Sequence, residues 1–286
     1  MTISYRLGSR AMFVRPNEGL SKPKHVVFLS VEGTKTEISY FNYVKKYREK
    51  LGINAMVYVE VLQRYDTKSD PENVLSLLEE YLQLRNESKF KDKIRSSRLK
   101  EYPREFIETY LNTPETLNKK VKHKFEEVLR QENLDLHYLD FLNRFQGEDD
   151  VFGVVIDRDC GSHSAKQLVK VISECKAKGY LCYLSNPCIE FWLLLHVADV
   201  AKEYAGCLKE ILANKLDGKG NSFVSNLLYE RTGQRKSIQE KNFIVNYLPH
   251  IDTAIARSKA FADFDSLLNE LGTNVGDLFK ILRATK

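Results

Sequence analysis

Short, mostly apolar runs alternate along the chain with longer stretches in which apolar residues return every three or four positions. The first run, His25–Val31, is rich in Val, Phe and Leu, the pattern of a strand buried on both faces. After Glu32-Gly33-Thr34-Lys35-Thr36, residues Ile38, Phe41, Tyr43, Val44 and Tyr47 recur near helical spacing, with Gly52 as the stop. Residues 55–62 alternate and carry Val and Tyr, which predicts a second strand. Asp70 and Pro71 then supply a cap and a first-position proline for a helix that buries Val74, Leu75, Leu77, Leu78, Tyr81, Leu82 and Leu84. A third strand is predicted over residues 151–156, a helix over 164–178 ending at Gly179, and a fourth strand over 180–184. A strongly apolar helix over 188–200 follows; in one reading Asn186 caps a helix that begins at Pro187. The rest reads as helical with glycine breaks, closing on a helix over 275–282.

Strands separated by helices predict parallel β-α-β units and an α/β fold, a Rossmann-like parallel sheet flanked by helices. Residues 85–146 interrupt the alternation with long charged stretches, scattered Phe, Tyr and Leu, and two prolines, Pro103 and Pro114. They read as an inserted helical lobe. The expected organisation is a basic arm over 1–24, an α/β core over 25–84 and 147–200, the lobe over 85–146, and a helical C-terminal region over 201–286.

Composition narrows this picture a little. The chain has 286 residues, 43% hydrophobic and 29% charged, ample for a buried core and unlike a disordered protein. No apolar run approaches the roughly 18–20 residues of a membrane span, and the first residues lack the apolar stretch of a secretory signal. Five cysteines, an odd number with no CxxC pair, predict reduced thiols and a cytoplasmic protein, and their spacing is not that of a zinc cluster. The formal charge of +5 is a weak pointer to an anionic partner. Its placement is more informative: residues 85–130 hold thirteen Lys+Arg against eight Asp+Glu, so the lobe carries an excess equal to that of the whole chain.

In open parallel sheets, ligands bind beyond the C-terminal ends of the strands. Three predicted strands end there in polar clusters: Glu32-Gly33, Asp157-Arg158-Asp159 and Ser185-Asn186-Pro187. Asp157 and Asp159, two apart in an extended chain, would face the same way, with Arg158 turned elsewhere. Paired carboxylates suit Mg²⁺, with Mn²⁺ as an alternative, and carboxylates gathered at one rim repel unless a cation lies between them. Each piece has a plainer reading. An Asp-x-Asp after a strand also makes a solvated turn or a helix cap. Glu190 is either a first-turn residue favoured by the helix dipole or a further ligand or proton carrier at the rim. Lys35 is a phosphate contact, or its segment is a helix start in which Thr34 or Thr36 caps and Glu37 closes a capping box. Gly33 leaves room for a phosphate against the backbone. His163 is a solvated loop residue or an assistant in proton transfer, and His196 a structural histidine or a phosphate contact. Cys160, beside two aspartates, does not turn the site toward a soft ion. Basic residues of the lobe (Lys89, Lys91, Lys93, Arg95, Arg98, Lys100) and later Arg231, Arg235, Lys236 and Lys241 track a phosphate backbone or form a solvated face. A dinucleotide-binding GxGxxG and a P-loop are both absent after the strands.

A Glu after the first strand and an Asp-x-Asp after a later one resemble the signature of Toprim domains. More narrowly, Val31-Glu32-Gly33-Thr34-Lys35-Thr36-Glu37 with Tyr40-Phe41, Ile156-Asp157-Arg158-Asp159, and Ser185-Asn186-Pro187-Cys188-Ile189-Glu190-Phe191-Trp192-Leu193-Leu194-Leu195-His196 resemble the RloB-like family. That family includes abortive-infection proteins. The resemblance covers residues 25–62 and 150–200 well and the C-terminal third loosely, and it assigns no role to 85–146. It implies metal-dependent phosphodiester cleavage of nucleic acid, DNA or RNA, in anti-phage defence, often beside an ATPase partner. It further implies Glu32 as general base or acid and a metal ligand, with Asp157 and Asp159 holding Mg²⁺. The competing expectation is a non-catalytic nucleic-acid-binding or sensor subunit with a structural metal site. The number of ions and the oligomeric state stay open.

Overall fold

The computed structural model describes residues 25–33, 35–54, 57–62, 70–87, 98–131, 150–159, 163–235 and 237–284. The expected basic arm, Thr34, Cys160, Lys236, the lobe residues Lys89, Lys91, Lys93 and Arg95, and residues 132–149 lie outside that set.

Strand β1 (His25–Val31) leads into α1 (Thr36–Lys46), β2 (Val57–Leu62) and α2 (Pro71–Glu87). Asp70 caps α2 by accepting from the Asn73 N–H at 3.1 Å, as the Asp-Pro pair predicts. Two helices of the interrupting segment follow, α3 (Arg104–Asn112) and α4 (Lys119–Gln131). The alternation resumes with β3 (Val151–Asp157), α5 (Ala165–Lys178), β4 (Leu181–Asn186) and α6 (Ile189–Val197). Helix α5 has both ends specified locally. Ser164 and Gln167 form a reciprocal capping box, and Gly179 closes the helix at φ +72°, in the left-handed region.

The sheet runs β2-β1-β3-β4 in parallel, and β5 (Gly272–Thr273) joins β4 antiparallel. From β1 the chain crosses to β2 on one side and later returns as β3 on the other. Strand order therefore reverses between β1 and β3, and a crevice at the strands' C-terminal ends is the usual ligand position at such a reversal. The pairing Val31↔Val155 fixes the register there and brings the ends of β1 and β3 level.

Three sequence expectations are corrected. Asn186 does not cap a helix: it ends β4, its amide donating to the Leu267 carbonyl at 2.8 Å, and α6 starts three residues later. Helix α6 stops at Val197 rather than running to residue 200. The C-terminal region is not purely helical, because β5 adds an edge to the sheet, tied by Ser185 Oγ to Thr273 Oγ1 at 2.8 Å.

One apolar core joins the sheet to the C-terminal region. It includes Val27, Leu29 and Val155 from the strands, Phe191, Trp192 and Leu195 from α6, and Leu228, Ile251, Leu278 and Phe279 from later helices. Helix α6 is apolar on every side because it is covered all round, by the sheet and by the helices Phe223–Thr232 and Ile251–Ser258. Of the second compact unit, residues 80–87 and 98–131 are described. It has its own core, in which Phe125 is fully buried among Tyr102, Phe106, Tyr110 and Leu129.

A candidate acidic site at the strand ends

Glu32 follows β1 directly. Its N–H donates to the Val155 carbonyl (3.0 Å), and its Oε2 accepts the Asp157 N–H (2.9 Å). The other oxygen, Oε1, lies 2.8 Å from His163 Nε2. Both side chains are nearly closed off from solvent, and the carboxylate pushes the His163 imidazole above its ordinary value. His163 is therefore no solvated loop residue. Arg158 fixes its backbone, donating from Nη1 to the His163 carbonyl (2.8 Å) and from Nε to the Leu268 carbonyl (2.8 Å).

Glu37 lies one helical turn beyond and is also buried. Its Oε1 accepts the Gly33 N–H at 2.9 Å. A Cβ on Gly33 would collide with the Glu37 carboxyl, so glycine here makes room for a side chain rather than for a phosphate. The expected capping box is absent among the described residues: Lys35 occupies the cap position of α1, exposed and without a side-chain cap. Burial, with Glu190 and Glu32 nearby, pushes the Glu37 carboxyl up to about 7.

Asp157 ends β3, near the backbone N–H of Ile189 at the start of α6. Burial and the carboxylates of Glu32, Glu37 and Glu190 raise it well above the usual carboxylate range. Glu190 sits in the first turn of α6 and accepts from Thr36 Oγ1 at 3.3 Å. Cys188 is buried beside it, its thiol pushed well up by desolvation and by Glu190.

Four carboxylates, Glu32, Glu37, Asp157 and Glu190, thus share one region at the reversal point. Asp159 takes a different place. The strand ends at Asp157, and the backbone turns at Asp159 (φ +24°), so the extended alternation on which the parallel aim of the two aspartates rested does not reach it. Asp159 is exposed and its charge acts on His163. His196 lies away from the acids. It is buried in α6, with Nδ1 donating to the Trp192 carbonyl (3.0 Å) and Nε2 accepting from Tyr40 OH (3.2 Å); desolvation lowers it to about 3, so it stays neutral. The sequence offered Thr36 only as a helix cap. Its hydroxyl ties α1 to Glu190 across 154 positions, and no local pattern announces such a contact.

Among the described residues, no three His, Cys, Asp or Glu side chains stand ready to enclose an ion. The donor set is nonetheless one of hard oxygens under mutual repulsion. Mg²⁺ asks for only one or two carboxylates plus waters and substrate oxygens.

A family model described as RloB-like protein matches residues 27–282, from β1 to the last helix. The chain belongs to the RloB-like family. The match to this family spans the interrupting segment as well as the sheet. Neither the curated proteins nor the solved structures contain a match. Among the described residues of this RloB-like chain, no helix is long and apolar enough to cross a membrane.

Proposed function

We propose that this RloB-like protein is a Mg²⁺-dependent nuclease of Toprim type that hydrolyses phosphodiester bonds of nucleic acid in anti-phage defence, working with an ATPase partner. The observation that carries the reading is the gathering of Glu32, Glu37, Asp157 and Glu190 at the sheet's reversal point, with two of them pushed toward holding protons. Such repulsion is what a divalent cation relieves. Asp157 and Glu190, at the end of β3 and in the first turn of α6, would hold the ion. Bound there, the ion supplies Lewis-acid polarisation of a phosphate oxygen and a lowered pKa for a water.

The chain's own groups divide the remaining work. Glu32 is braced on both oxygens, by the Asp157 N–H and by His163, so it keeps the ends of β1 and β3 in fixed relation. Glu37, at about 7, holds or gives up a proton at its carboxyl in the pH range where a general acid or base works best. His163 holds its proton against Glu32 and steadies the negative charge of the rim.

The test is cleavage of labelled DNA and RNA by the purified protein, alone and with its ATPase partner, in Mg²⁺ or Mn²⁺. Cleavage should require the metal and fall at least about a hundredfold in Asp157→Asn, the scale of losing one charge-stabilising group. Absence of cleavage under every combination, or full activity in Asp157→Asn, would overturn the reading.

A further inference from the structure

Beyond the acidic rim, the segment after the helix Phe223–Thr232 presents a cation of unusual construction. Gly233 closes that helix at φ +71°, and Ser237 takes φ +62°, a value few non-glycine residues adopt. Between them the Arg235 guanidinium lies 3.9 Å from the centre of the Tyr229 ring. Its Nε and Nη2 donate to Asn226 Oδ1 at 3.4 and 3.3 Å. The Asn226 amide donates in turn to Asp217 Oδ2 at 2.9 Å, which fixes the acceptor. No carboxylate pairs with Arg235 among the described residues. A guanidinium has five N–H donors in a planar fork, so the Nη1 edge is left for a partner of matching shape. Neighbouring cations are spent differently: Arg231 is neutralised by Glu203 and also donates to Tyr204 OH, and Lys46 pairs with Glu240.

Hydrogen bonds tie this segment to the acidic rim. The Ile238 N–H donates to Ser39 Oγ (3.1 Å), and that hydroxyl donates to the Lys35 and Thr36 carbonyls (2.7 and 3.0 Å). Thr36 Oγ1 then donates to Glu190 (3.3 Å). A polyanion approaching four carboxylates is repelled, and an unpaired planar cation at the edge offsets that repulsion.

We propose that Arg235, laid flat on Tyr229, grips a backbone phosphate of the nucleic-acid strand beside the acidic rim. The proposal rests on the nuclease reading and adds a positioning residue to it. Phosphate matches the free Nη edge two-pronged, and the stacked ring and Asn226 hold that edge in place before binding.

The experiment is fluorescence anisotropy with fluorescein-labelled single-stranded DNA and RNA of one sequence, in EDTA so that nothing is cut. Arg235→Ala should bind about tenfold more weakly, and its salt dependence should lose about one unit of slope. Arg235→Lys should recover part of the affinity, and Arg231→Ala should stay within about twofold of the parent, since that arginine is already paired. Equal binding by Arg235→Ala and the parent, with melting curves alike, would overturn this inference alone. Equal losses in Arg231→Ala and Arg235→Ala would also overturn it, because the effect would then be general charge. Failure of the parent to bind either strand at low salt would overturn the nuclease reading and this inference with it.

Discussion

With its carboxyl pushed up to about 7 from an ordinary 4.5, Glu37 holds a proton across a range where most carboxylates have lost theirs. The folded chain binds that proton more tightly than the unfolded chain does. Its contribution is therefore fully present below about pH 4.5 and lost as pH rises through 7. Asp157 acts in the same sense. His163, raised from 6.5 by Glu32, stabilises below that value and loses its effect at higher pH. His196, lowered to about 3, opposes them: its contribution is lost as pH falls below 6.5. Comparing one variant with its parent isolates the first of these. Glu37→Gln keeps an oxygen for the Gly33 N–H and carries no charge. It should melt like the parent at pH 5 and be more stable at pH 8 by about 2 kcal/mol, or roughly 5 °C. A constant difference at both pH values would contradict the shifted carboxyl. His163→Ala removes the imidazole partner of the nearly buried Glu32 carboxylate and should cost about 3 kcal/mol in urea unfolding at pH 6; a cost below about 1 kcal/mol would show Glu32 to be satisfied by its remaining partners. Glu32 and Asp157 were legible as rim residues because each directly follows or ends an apolar strand. The partnership of Glu32 with His163 was not, since it depends on a turn at Asp159 and on the Arg158 anchor beneath it.

At the scale of elements, local chemistry marked some boundaries and tertiary pairing set others. Asp70-Pro71 and Ser164 with Gly179 declare their helix ends within a few residues, and both helices begin where those signals put them. Ser164→Ala should accordingly cost about 1 kcal/mol, read as a shift of the urea midpoint. The two-residue strand β5 has no such signal. It exists because Ser185 meets Thr273 and because the Asn274 side chain accepts the Leu184 N–H at 2.7 Å and donates to the Cys182 carbonyl at 3.0 Å. The same pairing draws Asn186 into the sheet and denies it the cap that its Pro187 neighbour suggested. Gly272 is required by packing: a Cβ there would lie 2.7 Å from the Ala262 carbonyl oxygen and from Leu267. Gly272→Ala should destabilise by about 1–3 kcal/mol in thermal unfolding. A neutral result would mean that the segment following Ala262 shifts freely.

On the scale of the whole molecule, the two compact units each have an apolar core. The interrupting segment was readable as helical from its prolines and its absence of strand patterning, and α3 and α4 lie within it. The C-terminal region was read as an addition to the α/β core, but its helices complete the core around Trp192, which is fully buried. That burial is distributed over residues far apart in sequence, so no local window shows it. Phe125→Ala should remove about 3–5 kcal/mol from the second unit's core. Hydrogen exchange should then show lost protection in α3 and α4 with β1 and β3 unchanged; equal loss in both would contradict separate cores.

Charge placement follows the same division, with an acidic rim on the sheet and the excess of basic residues in the interrupting segment. The central claim is that the rim takes a divalent cation, and the most direct measurement is calorimetric titration of Mn²⁺ into the full chain at pH 7.5. The parent should bind with a dissociation constant below about 1 mM, on the order of −4 kcal/mol, and Asp157→Asn should bind at least about tenfold more weakly. A parent that binds no Mn²⁺, or an Asp157→Asn variant that binds it equally well, would contradict the account.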